Sequence, residues 1–461
     1  MLAHDRSAPL SVSGWMYPWL ICSIGMLFYC FNYFLRVSPG AMQNEISQSF
    51  HITAAQFGLL ASAYYWAYTP MQIPAGMIYD RFGVRFVLCA ACLIAVAGLS
   101  LFVSAETFSA AWMGRFLIGL GCAFAYIGTL KLASVWLAPN RFAIIAGLAT
   151  AVGMACGAMT QKYITHAVNT MNYNEALRPA ILIGVLLSFV ILLLVKDTPK
   201  NQMQAENEMQ APMNTKQLLL ALRIIFTNRQ MWLIGTIGCL LYLPASVFLD
   251  FYWKQFLITV YNITPGQAVN ISTLTFFGWI ISGPIIGAYS DSIKRRVLPL
   301  TVTGFFAAAL LCLVFYMPGI FSLQGLYCVF FLIGFCCGGH PLCFPLGKEN
   351  NPIQISGTSV ATTNMLIMLG GMVFPPIVGK MLNMHSSAVG ANGLPIYSGS
   401  DYIFALSIVP IGVALGIFLS LFVKETHCRQ SVANEANERA LTTQSVELEA
   451  EGLEAEAEIA R

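Results

Sequence analysis

Long apolar runs separated by short polar segments dominate this chain. A membrane-spanning helix needs about 20 mostly apolar residues, and twelve runs approach or exceed that length. They lie near 18–39, 55–78, 86–104, 109–137, 142–165, 178–196, 230–253, 268–289, 297–317, 321–347, 355–381 and 402–423. The pattern predicts an all-α membrane protein with twelve transmembrane helices. An even number of spans places both termini on the same side of the bilayer.

The positive charges predict which side that is. Cytoplasmic loops carry an excess of Lys and Arg. The segments that follow even-numbered spans are rich in them: Arg81, Arg85, Arg141, Lys196, Lys200, Lys216, Arg223, Arg229, Lys294, Arg295, Arg296, Lys348, Lys424 and Arg429. The opposite side has few: Lys162, Arg178, Lys254 and Lys380. Both termini are therefore predicted to be cytoplasmic, and the short loops favour a bacterial inner membrane.

Two polar segments divide the chain. Residues 197–229 separate spans six and seven, and we interpret them as a cytoplasmic linker. They follow a cytoplasmic N-terminus, 1–17, and an N-terminal six-helix bundle, 18–196. A C-terminal six-helix bundle covers 230–425, and an acidic tail covers 426–461. That composition is typical of a solvated tail.

Composition excludes several classes of function. Hydrophobic residues make up 57% of the chain and charged residues only 10%, against about 25% charged in soluble domains. A net charge of +3 gives no indication of a nucleic-acid partner. No P-loop, HExxH or dinucleotide fingerprint stands in a suitable context, so we predict neither an enzyme nor a cofactor. The CxxC of Cys89 and Cys92 lies inside an apolar run, where redox or metal chemistry is not expected.

An internal repeat connects the two halves. GMIYDRFGVRFVL (76–88) follows span two, and GAYSDSIKRRVLPL (287–300) follows span eight. In both segments a glycine precedes an aspartate by four residues, and basic residues follow. The repeated positions are Gly76, Asp80, Arg81, Gly83 and Arg85 in the first copy, and Gly287, Asp291 and Arg295 in the second. Duplication of a six-helix unit explains this arrangement.

The first copy resembles the signature loop of the major facilitator superfamily. GRFLIGLG in span four is similar to that family's fourth-helix motif, with Arg115, Gly119 and Gly121 at its spacing. The resemblance implies two pseudo-symmetric six-helix bundles and transport by alternating access. It also implies that spans one, four, seven and ten line the central path.

The repeated loop suggests a gate. Gly76 permits a close helix approach or a tight turn, and Asp80 can accept hydrogen bonds from a facing helix N-terminus. Arg81 and Arg85 can bind carboxylates or lipid phosphates. One hypothesis is a latch that holds one gate closed, and the alternative is anchoring of the topology by positive charge alone.

Polar side chains on the path are candidates for substrate contact, because such groups are costly inside a membrane. They are Asn32, Tyr33, Arg36, Tyr65, Tyr68, Lys131, Tyr242, Asp250 and His340. Alternatives remain for several of them. Arg36 and Lys131 can extend to the membrane surface, Asp250 and Lys254 can form a surface pair, and Arg115 can bind backbone carbonyls.

His340 lies in a segment rich in Gly and Pro, GFCCGGHPLCFPLG (334–347), which predicts a kinked tenth span. Cys336, His340 and Cys343 share one helical face, but the breaks and the missing fourth ligand argue against a metal site. Because histidine titrates near neutral pH, His340 and Asp250 are candidates for proton coupling. A structural role for His340 is the alternative.

The substrate class is only partly constrained. YFLRVSP is similar to the first helix of the organophosphate–phosphate exchangers, but span seven has no second arginine. Span five lacks the Gly-Pro motif of drug exporters. We therefore predict a secondary transporter, coupled to a proton or another ion, that imports a small anionic or zwitterionic solute such as an amino acid, small peptide, nucleoside or organic acid. Alternatives are an organic-anion or sugar-phosphate exchanger, a siderophore or drug exporter, and a non-transporting sensor.

Overall fold

The computed structural model describes residues 12–137, 139–197, 215–386, 388–390 and 393–429. Its α-helices are α1 Val12–Ala41, α2 Gln43–Ser49, α3 Ala54–Phe82, α4 Val84–Val103, α5 Phe108–Trp136, α6 Pro139–Ala167, α7 Tyr173–Leu194, α8 Thr215–Thr227, α9 Arg229–Leu241, α10 Trp253–Tyr261, α11 Pro265–Ile293, α12 Val297–Tyr316, α13 Leu323–Cys337, α14 Cys343–Glu349, α15 Ser356–His385, α16 Gly399–Leu406 and α17 Ile408–Ser420. Two short antiparallel strands, β1 Ala388–Val389 and β2 Pro395–Ile396, precede α16. Most of the predicted acidic tail lies outside the described residues.

Eleven membrane-spanning segments in the described part of the chain are long and apolar enough to cross a bilayer. The twelfth span is α3, whose 29 residues are less apolar because they include buried Tyr64, Tyr65, Tyr68 and Gln72. Polar groups are tolerated at membrane depth where they face the protein interior. The predicted twelve-span architecture is confirmed. The polar side chains of α3 face the protein interior.

Spans seven and ten are interrupted helices. Span seven is α9 and α10 joined by a π-helix, Pro244–Tyr252. Span ten is α13 and α14 joined by a 3₁₀ turn, His340–Leu342, so the predicted break in this span is confirmed. Proline lacks an N–H donor and favours such irregular starts. Short π segments inside helices are frequent at functional sites.

The two halves meet along three helix pairs. These are α3 with α15, α6 with α11, and α1 with the π-helix. Glycines bring the backbones close together at the end of the bundle opposite residues 12 and 429. A Cβ atom added at Gly379 would lie 2.1 Å from the Ala54 carbonyl oxygen, and one at Gly40 would lie 2.1 Å from the Asp250 carbonyl oxygen. This end is therefore closed by backbone packing between the halves.

The predicted linker contains a helix. In α8, Ile224 and Ile225 pack against Met231 and Ile355, in a small apolar cluster separate from the main core. Asn228 follows α8, and its side chain accepts the Gln230 N–H at the start of α9. The last part of the linker therefore belongs structurally to the C-terminal half.

Replacing Gly379 by alanine should force the two halves apart at their closed end. The new methyl group has no room beside Ala54, and overpacking of this kind costs about 1–3 kcal/mol. Thermal unfolding of the purified protein should show a lower midpoint. The control is Gly76→Ala, where a Cβ meets nothing within 4 Å. Equal midpoints for the two variants would contradict close packing at Gly379.

Candidate functional site

Arg36 lies in the contact between the halves, four residues before Gly40 on α1. Its side chain is buried, with 4% of the residue exposed. Its Nε donates to Asp250 Oδ2 at 2.9 Å, and Nη2 donates to Tyr242 Oη at 2.6 Å. Extension of Arg36 to the membrane surface, one of the alternatives, is therefore wrong. The ion pair joins α1 of the N-terminal half to the π-helix of the C-terminal half.

Asp250 is bound by two side chains of the N-terminal half. Its Oδ2 also accepts the Tyr65 hydroxyl at 2.7 Å, and only 2% of the residue is exposed. The alternative of a surface pair between Asp250 and Lys254 is wrong. Lys254 is itself buried; it donates to the Ala41 carbonyl and lies 3.6 Å from Glu45. Lys254 therefore ties the C-terminal half to the end of α1.

Three tyrosine rings surround the Arg36 guanidinium. Its central carbon lies 5.3 Å from the Tyr33 ring centroid, 5.4 Å from Tyr65 and 5.6 Å from Tyr242. Ring faces attract a cation, and more strongly once water is removed. The cation is thus held by one carboxylate, one hydroxyl and three ring faces.

More tyrosines continue the N-terminal wall. We name Tyr29, Tyr33, Tyr64, Tyr65, Tyr68 and Tyr126 the tyrosine cluster. Its rings form two groups, one with Tyr29 against Tyr126 at 4.9 Å and one with Tyr64 stacked on Tyr68 at 5.3 Å. The Arg36 guanidinium lies over a ring of each group, Tyr33 and Tyr65. Tyr29 precedes Arg36 by seven residues, which is about 10 Å along a helix. The cluster therefore extends from Arg36 toward the end that carries the termini.

Asn32 and Arg115 lie behind this cluster. Asn32 Oδ1 accepts the Tyr64 hydroxyl at 2.5 Å, and Arg115 Nη1 donates to the Leu35 carbonyl at 2.7 Å. Arg115 thus makes the backbone contact that the sequence left as an alternative. Its Nε and Nη2 have no hydrogen-bond partner among the described residues, although they are buried.

His340 joins the site through Tyr242. The two rings stack at 4.8 Å, and His340 also meets the Trp279 ring edge-on at 5.3 Å. Within the described ranges, Trp279 Nε1 is buried without a partner. Sequence reasoning missed Trp279 because span eight is not among the path-lining spans. Its position in mid-span was the available signal, since membrane tryptophans favour the interfaces.

Lys131 is not part of this site. Its ammonium lies 2.7 Å from Asp80 Oδ1, and the two side chains are 40% and 38% exposed. Lys131 follows Arg115 by sixteen residues on α5, which is about 24 Å along the helix toward the termini. The predicted substrate contact for Lys131 is corrected by this placement.

The first repeated loop is held within its own half. Asp80 pairs with Lys131 on α5 instead of meeting a helix N-terminus. Arg85 donates from its backbone N–H to Asp197 at 2.8 Å and from Nε to the Leu192 carbonyl at 2.7 Å. Gly83 has φ +77°, so the tight turn falls there. A Cβ at Gly76 would be in open space, and the close approach predicted for Gly76 is wrong.

Arg81 contributes little to this arrangement, since its guanidinium lies over the neighbouring Phe82 ring at 5.4 Å.

In the second copy, the basic residue that binds Asp291 is Arg296, the neighbour of the predicted Arg295. Its guanidinium lies 2.5 Å from Asp291 and 3.1 Å from Glu349. Burial alone would lower the pKa of Arg296, but hydrogen bonds to Glu349 and Asp291 outweigh it and the pKa is raised. Glu425 accepts the Arg296 and Val297 N–H groups, as Asp197 accepts that of Arg85. A Cβ at Gly287 would be in open space, like one at Gly76.

Two six-helix halves around a buried polar centre, with a repeated loop in each, define a secondary transporter. The family model of the Major Facilitator Superfamily matches residues 22–375, and the chain belongs to this superfamily. It is an integral membrane transporter of small organic solutes and not an enzyme.

Relatives of known name fit this assignment. The chain is 24% identical over 357 residues to the 3-(3-hydroxy-phenyl)propionate transporter of Escherichia coli (strain K12), covering 77% of this chain and 84% of the relative. It is 23% identical over 428 residues to the "Probable galactarate/D-glucarate transporter GudP" of the same organism, covering 84% and 91%. A solved bacterial homologue of the human lysosomal transporter Spinster shares the fold, with a TM-score of 0.70, 14% identity, and 90% and 99% coverage.

The effects of substituting Arg36 and Asp250 on the stability of the protein should be strongly non-additive. Asp250→Asn leaves Arg36 buried without a counter-charge, and losing one partner of such a pair costs about 3–5 kcal/mol. Arg36→Gln should be destabilising for the same reason. The double variant R36Q/D250N should recover most of the loss, measured as unfolding midpoints in detergent. Simple addition of the two single effects would contradict the pairing.

Proposed function

We propose that this transporter imports a small organic anion with a proton, that Arg36 binds the anion's carboxylate, and that Asp250 carries the proton. The observation that carries the proposal is the Arg36–Asp250 ion pair, buried between the halves at 2.9 Å. A carboxylate of the substrate is chemically equivalent to the Asp250 side chain, so it can take the place of Asp250 on the guanidinium.

The charges at the centre favour an anionic ligand. Arg36 and Arg115 are both buried, and Asp250 is the carboxylate that contacts Arg36. Arg115 forms no ion pair with any residue in the described ranges. Because an uncompensated charge is costly in a low-dielectric interior, a negative ligand would stabilise the centre. The names of the two relatives, a phenylpropionate and a galactarate/D-glucarate transporter, denote carboxylates and support this class.

Proton coupling follows from competition for Arg36. An ionised Asp250 holds the guanidinium, whereas a protonated Asp250 gives up most of that attraction. Binding a proton at Asp250 therefore favours binding of the substrate's carboxylate at Arg36, and the coupling is reciprocal. His340 is the second coupling candidate, but its contact with Arg36 is indirect, through Tyr242.

The closed end is proposed to be the outer one. The positive-inside rule places the termini in the cytoplasm, and the glycine contacts between the halves lie at the opposite end. Two hydrogen bonds reinforce this contact between the halves: Lys254 donates to the Ala41 carbonyl, and the Ala54 N–H donates to the Tyr397 hydroxyl. Opening to the outside would require these contacts and the Arg36–Asp250 pair to separate, which the bound substrate assists by replacing Asp250.

An exchanger would use the same site without a net proton. Reconstituted protein in vesicles separates the two cases, with labelled 3-(3-hydroxyphenyl)propionate and D-glucarate as probes. Symport predicts accumulation driven by external acid, in addition to counterflow. Counterflow that does not respond to a pH gradient would contradict proton coupling and favour an exchanger. Retained binding without any flux would indicate a sensor.

Arg36→Lys should reduce counterflow at least about tenfold, because lysine cannot reproduce bidentate binding of a carboxylate. The initial rate of counterflow measures the effect. Arg178→Lys, on an exposed side chain of α7, is the matched control and should transport normally. Unchanged transport by Arg36→Lys would exclude bidentate binding of the carboxylate by the Arg36 guanidinium.

Asp250→Asn should uncouple transport from the proton. The amide imitates a carboxylic acid that stays neutral, so counterflow should persist while accumulation driven by a pH gradient is lost. Asp250→Glu keeps a titrating group and should retain some gradient-driven uptake. The measurement is uptake with and without external acid, in folded protein at equal density in the vesicles. Normal pH-driven accumulation by Asp250→Asn would assign coupling elsewhere, first to His340.

A further inference from the structure

We infer that the preferred substrate is an aromatic monocarboxylate, whose ring lies between the tyrosine cluster and the C-terminal group of Tyr242, Trp279 and His340. The inference rests on the proposed function, because it takes Arg36 as the group that binds the carboxylate. Beyond that function, the inference specifies the chemical nature of the part of the substrate that is attached to the carboxylate.

Rings from both halves flank the cation. Tyr33 of the N-terminal half and Tyr242 of the C-terminal half each lie within 6 Å of the Arg36 guanidinium carbon. Behind Tyr33 is the tyrosine cluster, and behind Tyr242 is the stacked His340 ring. A carboxylate that reaches Arg36 therefore places its attached group among ring faces. Flat aromatic groups gain specific packing energy there.

The polar side chains around the centre are largely engaged with one another. The Asn364 amide donates to Gln72 at 2.7 Å across the halves, and the Ser272 hydroxyl donates to Gln161. Asn32 accepts from Tyr64. A sugar acid with many hydroxyl groups requires many free partners, and unpaired polar groups are costly to bury. These engaged pairs disfavour a polyhydroxylated substrate.

One polar position remains open on the C-terminal side. The Trp279 indole nitrogen is buried without a partner in the described part of the chain, and its ring lies 5.3 Å from the His340 ring. Trp279 Nε1 can only donate, and the oxygen of a hydroxyl group can accept from it. A ring hydroxyl distant from the carboxylate satisfies this position.

The number of cations limits the number of carboxylates. Arg36 is the guanidinium that faces Asp250 and both ring walls, while Arg115 points its bonded nitrogen at the Leu35 carbonyl, behind Tyr64. A single fork binds one carboxylate well. The site therefore favours a monocarboxylate over a dicarboxylate of similar size.

Competition against counterflow of labelled 3-phenylpropionate tests the inference. Unlabelled 3-phenylpropionate should compete about two- to tenfold better than 3-cyclohexylpropionate, which has the same carboxylate and carbon count but is not flat. D-glucarate should compete weakly. Equal competition by the cyclohexyl compound, or better competition by D-glucarate, would overturn the aromatic class and leave an organic-anion carrier in place. If none of the three anions gives counterflow or shifts the unfolding midpoint, the proposed function fails as well.

Trp279→Phe tests the hydroxyl position, because it keeps a ring and removes the N–H donor. The parent protein should prefer 3-(3-hydroxyphenyl)propionate over 3-phenylpropionate by about two- to tenfold, the effect of one hydrogen bond. Trp279→Phe should abolish this preference, measured as the ratio of competition by the two compounds in the same variant. The control is Trp66→Phe, on the exposed side of α3, which should keep the preference. If Trp279→Phe retains the full preference, Trp279 does not contact the substrate's hydroxyl.

Discussion

The buried ion pair between Arg36 and Asp250 is the interaction on which the rest of the structure depends. Removing two charges from water is expensive, and the mutual attraction repays that cost only with good geometry and further hydrogen bonds. Tyr242 and Tyr65 supply those bonds, one to each member of the pair. Because its members belong to different halves, the pair joins the two halves directly.

The irregular parts of spans seven and ten lie beside the same pair. Asp250 lies in the π segment of span seven, and His340 lies in the 3₁₀ turn of span ten. A break in a helix frees backbone groups and changes the direction of its side chains. In this structure, both breaks bring polar groups toward Arg36 or its partner Tyr242. The C-terminal half thus supplies irregular backbone and polar groups, while the N-terminal half supplies cations and tyrosines on regular helices.

The sequence was sufficient for the spans and for the repeated loops, because apolar run length and local spacing encode them. It also identified Arg36, Tyr65, Tyr242 and Asp250 as candidates, since polar residues in apolar spans are conspicuous. It could not pair Arg36 with Asp250, which are 214 residues apart, because that contact arises from packing of the halves. Lys131 was named as a substrate contact because it lies on a path-lining span, and the stated alternative, a position near the membrane surface, agrees with its exposure. Arg296 was missed within a run of three basic residues.

The two acidic caps have a mechanical consequence. Asp197 follows span six and binds the start of span three, while Glu425 follows span twelve and binds the start of span nine. Each half is therefore held together at the end that carries the termini, by a contact between its last span and its third span. When the halves separate, each half then moves as one rigid body instead of six separate helices. The motion is concentrated at the contact between the halves, where a change at the Asp250 carboxylate acts on both halves at once.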